Sequence, residues 1–128
     1  MKLARITLAL ALCLAFAGCG LKAQAPIPGA VNQFDSDTYL TLSTAKGAID
    51  QAKAELTANA FSGTVATNVK TAINVAVSTY NTADITYQAY HQAALAGTAT
   101  ATQQTAVTAA LANLNTAVTS ITTAKVGN

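Results

Sequence analysis

The sequence predicts an all-α fold, an antiparallel three-helix bundle that follows a signal peptide and a proline-containing tether. Three observations lead to this prediction. Apolar residues recur at spacings of three and four along three segments after residue 34, glycine-containing breaks separate those segments, and alanine is abundant in them. Amphipathic helices joined by short loops pack against their chain neighbours, so we expect an up-down-up arrangement.

The first element is a leader with the pattern of an export signal. Residues 1–5 include two basic side chains, residues 6–17 are an apolar stretch, and Gly18 precedes Cys19. A basic segment, a short apolar segment and small residues before a cleavage point are typical of secretory signal peptides. The apolar stretch is shorter than the roughly 20 residues of a membrane-spanning helix. We therefore predict that residues 1–18 are removed.

The residues at this cleavage point, Phe16-Ala17-Gly18-Cys19, resemble the lipobox of bacterial lipoprotein precursors, with Phe16 where that motif usually has leucine. The resemblance implies cleavage between Gly18 and Cys19, a diacylglyceryl thioether on Cys19 and an acylated amino terminus. Several acyl chains anchor a protein stably where a single chain is marginal. Gly20, in place of aspartate, implies sorting to the outer membrane, facing the periplasm, in a two-membrane bacterium.

Three alternatives to lipidation stay open. An ordinary secretory cleavage could follow residues 23–25, although Pro26 would then follow the cleaved bond and Lys22 would lie in a segment that is normally uncharged. Cleavage could also follow residues 15–17. The leader could instead remain as an uncleaved anchor.

The two cysteines fit the lipoprotein prediction. Cys13 lies in the part of the leader that is removed, and Cys19 carries the lipid. The mature chain then has no thiol for a disulfide. An exported domain of this kind must rely on packing, which favours regular helices over a loop-rich scaffold.

Residues 19–34 are predicted to form the lipidated cysteine and a flexible tether. Pro26, Pro28 and Gly29 fall in this segment, and no apolar period runs through it. Proline lacks a backbone donor and biases the residue before it away from helix. We therefore place the domain boundary after residue 34, which leaves residues 35–128 as the helical domain.

The first predicted helix begins near residues 35–37, Asp-Ser-Asp, whose side chains can cap free amides and suit the helix dipole. Lys46, Asp50 and Lys53 lie at ion-pairing intervals outside its apolar face. The helix ends at residues 61–64, which include a glycine. Its apolar face consists of Leu42, Ala45, Ile49, Ala52 and Leu56.

The second predicted helix runs from Thr64 to Leu95 and stops at Gly97, and the third runs from Ala99 to Lys125. The third has the clearest apolar pattern in the chain, with spacings of 4, 3, 4 and 3. The apolar residues of the second helix are Val65, Val69, Ala72, Ile73, Ala76, Val77, Tyr80, Tyr87 and Ala94, and those of the third are Val107, Leu111, Leu114, Val118 and Ile121.

Two other organisations stay open. Residues 85–90 alternate apolar and polar side chains, and threonine and valine favour strands, so part of the chain could be β-structure. Residues 74–79 and 115–120 share a similar order of Asn, Ala, Val and Thr. That similarity would fit a duplicated hairpin, but it also follows from shared composition.

The charge distribution excludes nucleic acid as a partner. The chain has 7 Lys and Arg against 5 Asp and Glu, and Lys2 and Arg5 lie in the leader, so the mature side chains balance to a net charge of zero. Such a dilute set cannot supply the counterion release that drives nucleic-acid binding. Between Asp84 and Lys125 no residue carries a fixed charge. This neutral third helix either docks on an envelope protein or a second copy, or is simply a solvated surface.

The candidate ligand-binding residues lie on the second helix. His91 is the only histidine, it follows Tyr87 by four residues and Asp84 by seven, and Tyr80 shares their helix face. Asp84 or Tyr87 could orient the imidazole for proton transfer or a metal, beside a pocket between the second and third helices that also includes Tyr90. The alternative is a Tyr/His strip packed at a seam. One histidine and one carboxylate fall short of a usual metal-ligand set, so we predict no metal site.

The sequence carries no motif of catalysis. It has no Gly-x-Ser-x-Gly elbow and no glycine-rich phosphate loop, and its carboxylates are too sparse for paired acid–base work. We therefore expect neither an enzyme nor a cofactor.

The expected function is that of a membrane-anchored envelope lipoprotein with a structural or protein-interaction role. The alternative is a small-ligand or metal-binding lipoprotein that uses the Tyr/His strip. A phage-derived lipoprotein is a third possibility, which the neighbouring genes would reveal. Covalent wall attachment like that of the murein-linked lipoprotein is not expected, because residues 126–128 follow Lys125, whereas that family ends in lysine.

Overall fold

The computed structural model describes residues 28–127, which form three α-helices. Helix α1 spans Gln33–Thr57, α2 spans Gly63–Leu95 and α3 spans Ala101–Val126. The described residues contain no strand, so the predicted all-α bundle is confirmed. The β alternative for residues 85–90 is wrong, because that segment lies inside α2.

The leader lies outside the described residues, and so does most of the tether. The signal peptide, the cleavage point and the lipidation of Cys19 therefore stay predictions. None of the helices between residues 28 and 127 combines the length and the apolar character that crossing a bilayer requires.

Helix α1 begins at Gln33, two residues before the predicted start. The reason is that Asn32 caps the helix. Its side-chain oxygen accepts a hydrogen bond from the Asp35 backbone N–H at 2.9 Å. The sequence offered Asp35 as a cap, but its side chain is buried and is used elsewhere.

The first two helices end in the same way, although only one end was predicted. Gly97, with φ of 69°, follows α2, and the next amide, Thr98 N–H, bonds back to the Ala93 carbonyl at 2.8 Å. Asn59, with φ of 56°, takes the same place after α1, and Ala60 N–H bonds to the Glu55 carbonyl at 3.0 Å. This left-handed closing pattern usually uses glycine and sometimes asparagine. The break predicted at residues 61–64 is therefore a few residues late.

Helix α3 begins with a capping box. The Thr100 side chain accepts from the Gln103 backbone N–H at 3.2 Å, and the Gln103 side chain accepts from the Thr100 backbone N–H at 2.9 Å. Two amides without helical partners are satisfied in this way. The start lies close to the predicted Ala99.

The contacts at the helix ends establish the up-down-up topology. Asp35, in the first turn of α1, contacts His91 near the end of α2. Glu55 near the end of α1 pairs with Lys125 near the end of α3 at 2.6 Å. Neighbouring helices therefore run in opposite directions, and α1 and α3 run in the same direction.

The core is built largely from alanine and β-branched side chains. Alanine at the seams lets helix backbones approach closely, which is how a thin apolar core is buried in a short chain. Helices α2 and α3 share the most extensive contact, and α1 packs against both less extensively. The predicted Leu56, Leu111 and Val118 are half-buried against this core. The buried apolar residues are Leu42, Ala45, Ile49, Ala52, Val69, Ile73, Ala76, Ala83, Tyr90, Val107, Leu114, Ala117 and Ile121.

Candidate functional site

A polar cluster joins the start of α1 to the end of α2. The two helices are antiparallel, so these ends meet at the same end of the bundle. His91 on α2 places its Nδ1 atom 2.9 Å from both carboxylate oxygens of Asp35 on α1. The Asp35 side chain has no exposed surface, and the His91 side chain is 24% exposed. The lone histidine is therefore oriented by a buried carboxylate.

Asp35 receives two further hydrogen bonds. The Val31 backbone N–H donates to Oδ2 at 2.9 Å, and the Tyr87 hydroxyl also donates to the carboxylate. Burial acts to raise the pKa of Asp35, but the hydrogen bonds from Val31, His91 and Tyr87 outweigh burial and hold this pKa below its ordinary value. The carboxylate is therefore a charged group whose partners all belong to the protein.

Tyr87 serves this cluster as a donor. Burial raises the pKa of its hydroxyl well above the ordinary value, and the hydrogen bond to Asp35 and the charge of Asp35 raise it further. The ring of Tyr87 also lies against the His91 ring, with centroids 5.8 Å apart and planes tilted by 41°. Tyr87 thus supports both members of the Asp35–His91 pair.

A second cluster surrounds Tyr90 on the neighbouring side of α2. The Tyr90 side chain is completely buried, and its ring meets the Phe34 ring edge-on at 5.0 Å. The Asn32 side-chain amide donates to its hydroxyl at 3.0 Å, and Gln104 donates at 3.4 Å. Tyr90 therefore ties the starts of α1 and α3 to the end of α2, and it is a core residue and not a pocket lining.

The predicted site residues divide into two groups. His91 and Tyr87 come together as expected, but their partner is Asp35 and not Asp84. Asp84 instead accepts a hydrogen bond from Gln88 on its own helix at 2.7 Å. Seven residues of helix separate Asp84 from His91 by about 10 Å along the axis, which is too far for direct contact. His91 and Tyr87 also face α1, so the predicted position between the second and third helices is wrong.

The partner of His91 was missed because it lies 56 residues away in the chain. Helical periodicity relates residues within one helix, and it carries no information on which residue of another helix comes opposite. The signal that the sequence did contain was an acidic residue at the start of the first helix. That residue was assigned to capping, a role that Asn32 fills.

Tyr80 lies apart from the cluster, beside an open groove between α1 and α2 of about 160 Å³. Burial raises the pKa of its hydroxyl. On the groove rim, Asp50 pairs with Lys46 and with Lys53, and these three side chains are about half exposed. Ligand pockets in proteins usually measure roughly 300–1,000 Å³, so this groove is small for a ligand. It is lined by Lys46, Ile49, Asp50, Lys53, Val77, Tyr80 and Asn81.

The described residues do not assemble a metal-ligand set. No group of three or more His, Cys, Asp or Glu side chains converges anywhere between residues 28 and 127. Over the same range, every buried side-chain nitrogen and oxygen has a hydrogen-bond partner. Since Asp35 uses Nδ1 of His91, Nε2 is the ring nitrogen available to an external group.

Comparison with protein-family models, with curated proteins and with solved structures finds no match for this chain. Two features stand out in the geometry of the described residues. One is the polar cluster at the start of α1, and the other is the run from Ile85 to Ala124, in which no residue carries a fixed charge.

Proposed function

We propose that the protein is a membrane-anchored envelope lipoprotein whose helical bundle acts as a structural or protein-interaction module. The observation that carries this proposal is the polar cluster of Asp35, His91 and Tyr87, in which a buried carboxylate accepts hydrogen bonds from within the protein. The carboxylate bonds to Val31, which precedes α1, and to two side chains of α2. A buried charge satisfied in this way holds the start of α1 to α2, and its oxygens accept from donors of the protein itself.

The surface composition supports the same proposal. Lys125 is the only residue of α3 with a fixed charge, and it pairs with Glu55 of α1. A helix surface without charge resembles the interior of a protein–protein interface, from which charged residues are depleted. We assign no catalytic step to any residue, and we propose no nucleic-acid partner.

The anchor is tested by replacing Cys19 in the full chain. Cys19→Ala is expected to abolish labelling by a fatty-acid analogue and to move the protein from the membrane fraction to the soluble fraction. The matched control is Cys13→Ala, which changes the other cysteine of the leader and should leave labelling and fractionation unchanged. Continued labelling of the Cys19→Ala chain would refute the lipoprotein proposal.

A small-ligand or metal-binding role is the second candidate. The observation that favours it is the carboxylate behind the imidazole, because metal-binding histidines are commonly oriented in this way through their other ring nitrogen. The missing ligands argue against it, since zinc sites use three or four protein ligands. A single histidine would bind a metal only with help from outside the described residues.

Thermal unfolding of the full chain with added Zn²⁺ or Cu²⁺ separates these two roles. If the cluster is structural, His91→Ala lowers the melting temperature because Asp35 loses a partner, and Tyr87→Phe lowers it less because the ring remains. Neither metal then changes the melting temperature of the unaltered protein. A metal-induced rise that His91→Ala removes would favour the binding role and would count against the closed cluster.

A further inference from the structure

One end of the bundle lies where the described chain begins, and we call it the tether end. It consists of residues 28–32, which precede α1, and residues 95–100, which run from the last residue of α2 to the cap of α3. Asn32 and Gln104 both donate hydrogen bonds to the Tyr90 hydroxyl. These bonds hold the start of α1, the end of α2 and the start of α3 together, so neighbouring parts of three helices form the tether end.

Val31 and Leu95 are exposed apolar side chains of the tether end, with exposed fractions of 42% and 58%. The Val31 backbone N–H donates to Asp35, whose carboxylate also holds His91. Leu95 follows His91 by four residues, so it lies on the same side of α2, roughly one turn or about 6 Å nearer the tether end. The two exposed side chains therefore flank the same Asp35–His91 contact.

The tether end carries no fixed charge. None of its residues is acidic or basic, the Asp35 carboxylate is completely buried, and the exposed Asp37 lies five residues beyond Asn32. The opposite end is charged, since Glu55 pairs there with Lys125. Apolar side chains gain free energy when they leave water, whereas an unpaired charge loses it. Of the two ends, the tether end is therefore the one suited to a lipid surface.

The length of chain outside the structure indicates what lies opposite this end. Nine residues of chain lead from Cys19, which carries the lipid in the proposed function, to Pro28, where the described chain begins. A segment of that length spans at most about 30 Å. The opposite end lies farther away by the 26 residues of α3, which correspond to about 39 Å. The tether end therefore stays near the bilayer whatever path the segment takes.

We propose that the tether end contacts the lipid surface, with Leu95 and Val31 entering the bilayer interface, an inference that rests on the proposed lipid anchor. The bilayer is the one apolar surface that the anchor always keeps within reach of this end. Anchoring also makes the contact intramolecular, so an apolar contact too small to bind a free domain suffices. The helices then stand away from the bilayer, and the Glu55–Lys125 end faces the surrounding water.

Fluorescent labelling of the full chain, isolated with its anchor and placed in phosphatidylcholine vesicles, tests this contact. Ala96→Cys places a thiol at the tether end, and Ala58→Cys is the matched control at the opposite end. Both alanines are exposed, and each caps the carboxyl end of a helix. A fluorophore on the Ala96→Cys variant is expected to lose fluorescence when nitroxide-labelled phosphatidylcholine is included, and one on the Ala58→Cys variant is expected to keep it. A circular dichroism spectrum of each variant establishes that it remains helical.

Removal of an apolar side chain provides the second arm. Leu95→Gln added to Ala96→Cys is expected to shift the equilibrium between contact and release about fivefold towards release, because part of a leucine side chain returns to water. Ile85→Gln is the matched control. Ile85 is 68% exposed on the same helix, and it lies about 15 Å from Leu95 along the axis. This control should leave the quenching unchanged.

The outcomes separate the contact from the anchor. Equal quenching of the Ala96→Cys and Ala58→Cys variants, quenching of neither, or no response to Leu95→Gln would overturn the inference. If the chains remain on the vesicles in those cases, the proposed lipid anchor still stands. Chains that do not stay with the vesicles would overturn both the inference and the proposed anchor.

Discussion

The Asp35 carboxylate is completely buried and yet charged, and its cost of burial is offset by three donors. A donor removed from such a group leaves part of its desolvation uncompensated, which is why single changes here are expected to be costly. The neighbouring Asp37 is exposed and accepts from the Gln33 side chain alone at 2.7 Å. These two aspartates lie two residues apart in the same helix turn. They therefore allow the contribution of a buried carboxylate to stability to be compared directly with that of an exposed one.

Asp35→Asn is expected to lower the free energy of unfolding at neutral pH by about 2 kcal/mol, because hydrogen bonds to a charged group are replaced by weaker ones. The folded pKa of Asp35 lies below its unfolded value of about 3.9. Its stabilising contribution is therefore complete above that unfolded value and is lost as the pH falls through the folded pKa. Thermal unfolding followed by circular dichroism across this range measures the effect.

The matched control for this prediction is Asp37→Asn, which should change stability by a few tenths of a kcal/mol at most. The difference between the unaltered protein and Asp35→Asn should narrow on acidification below pH of about 4. A difference that stays constant across the range would show that the charge of Asp35 is not what stabilises the fold.

At the scale of the helices, the apolar stripes predicted correctly that three helices form and which side of each faces the core. They predicted the helix ends less well. The stripe of α3 places Val107, Leu114 and Ile121 in the core, as spacing alone required. The end of α1 was misplaced because Asn59 takes a left-handed conformation that the sequence signals only weakly. The partner of His91 was out of reach, since the packing of α1 on α2 sets which residue comes opposite. Periodicity thus predicts each helix, whereas the site depends on the contacts between helices.

Alanine substitutions at two glycines are expected to change the free energy of unfolding in opposite directions. Gly47→Ala, within α1, should raise the free energy of unfolding by up to about 1 kcal/mol, because alanine favours helix more than glycine does. Gly97→Ala should lower it by about 1–2 kcal/mol, because Gly97 adopts a φ of 69° that alanine disfavours. A new Cβ at either position meets nothing within 4 Å, so contacts do not confuse the comparison. Chemical denaturation of both variants measures the two changes, and equal signs would contradict the assigned backbone geometry.

At the scale of the whole molecule, the three helices differ in how extensively they pack against one another. Helices α2 and α3 form a closely packed hairpin, and α1 makes less extensive contact with either. The start of α1 is held by two polar contacts, Asp35 on His91 and Asn32 on Tyr90, and by the Phe34 ring against the Tyr90 ring. The bundle therefore combines a closely packed α2–α3 hairpin with a helix that packs on it less extensively through an apolar face and through polar contacts at its start.

Native-state hydrogen exchange of the full chain should show this division. We expect amides of α1 to exchange faster than amides at the centres of α2 and α3, because local opening follows the least packed element. His91→Ala should accelerate exchange in α1 and leave the α2–α3 hairpin nearly unchanged, since the lost contact joins α1 to the hairpin. Gln88→Ala, on the exposed side of α2, is the control and should alter neither. Equal protection of all three helices, with uniform acceleration in His91→Ala, would mean that the bundle opens only as one unit and that α1 has no separate docking equilibrium.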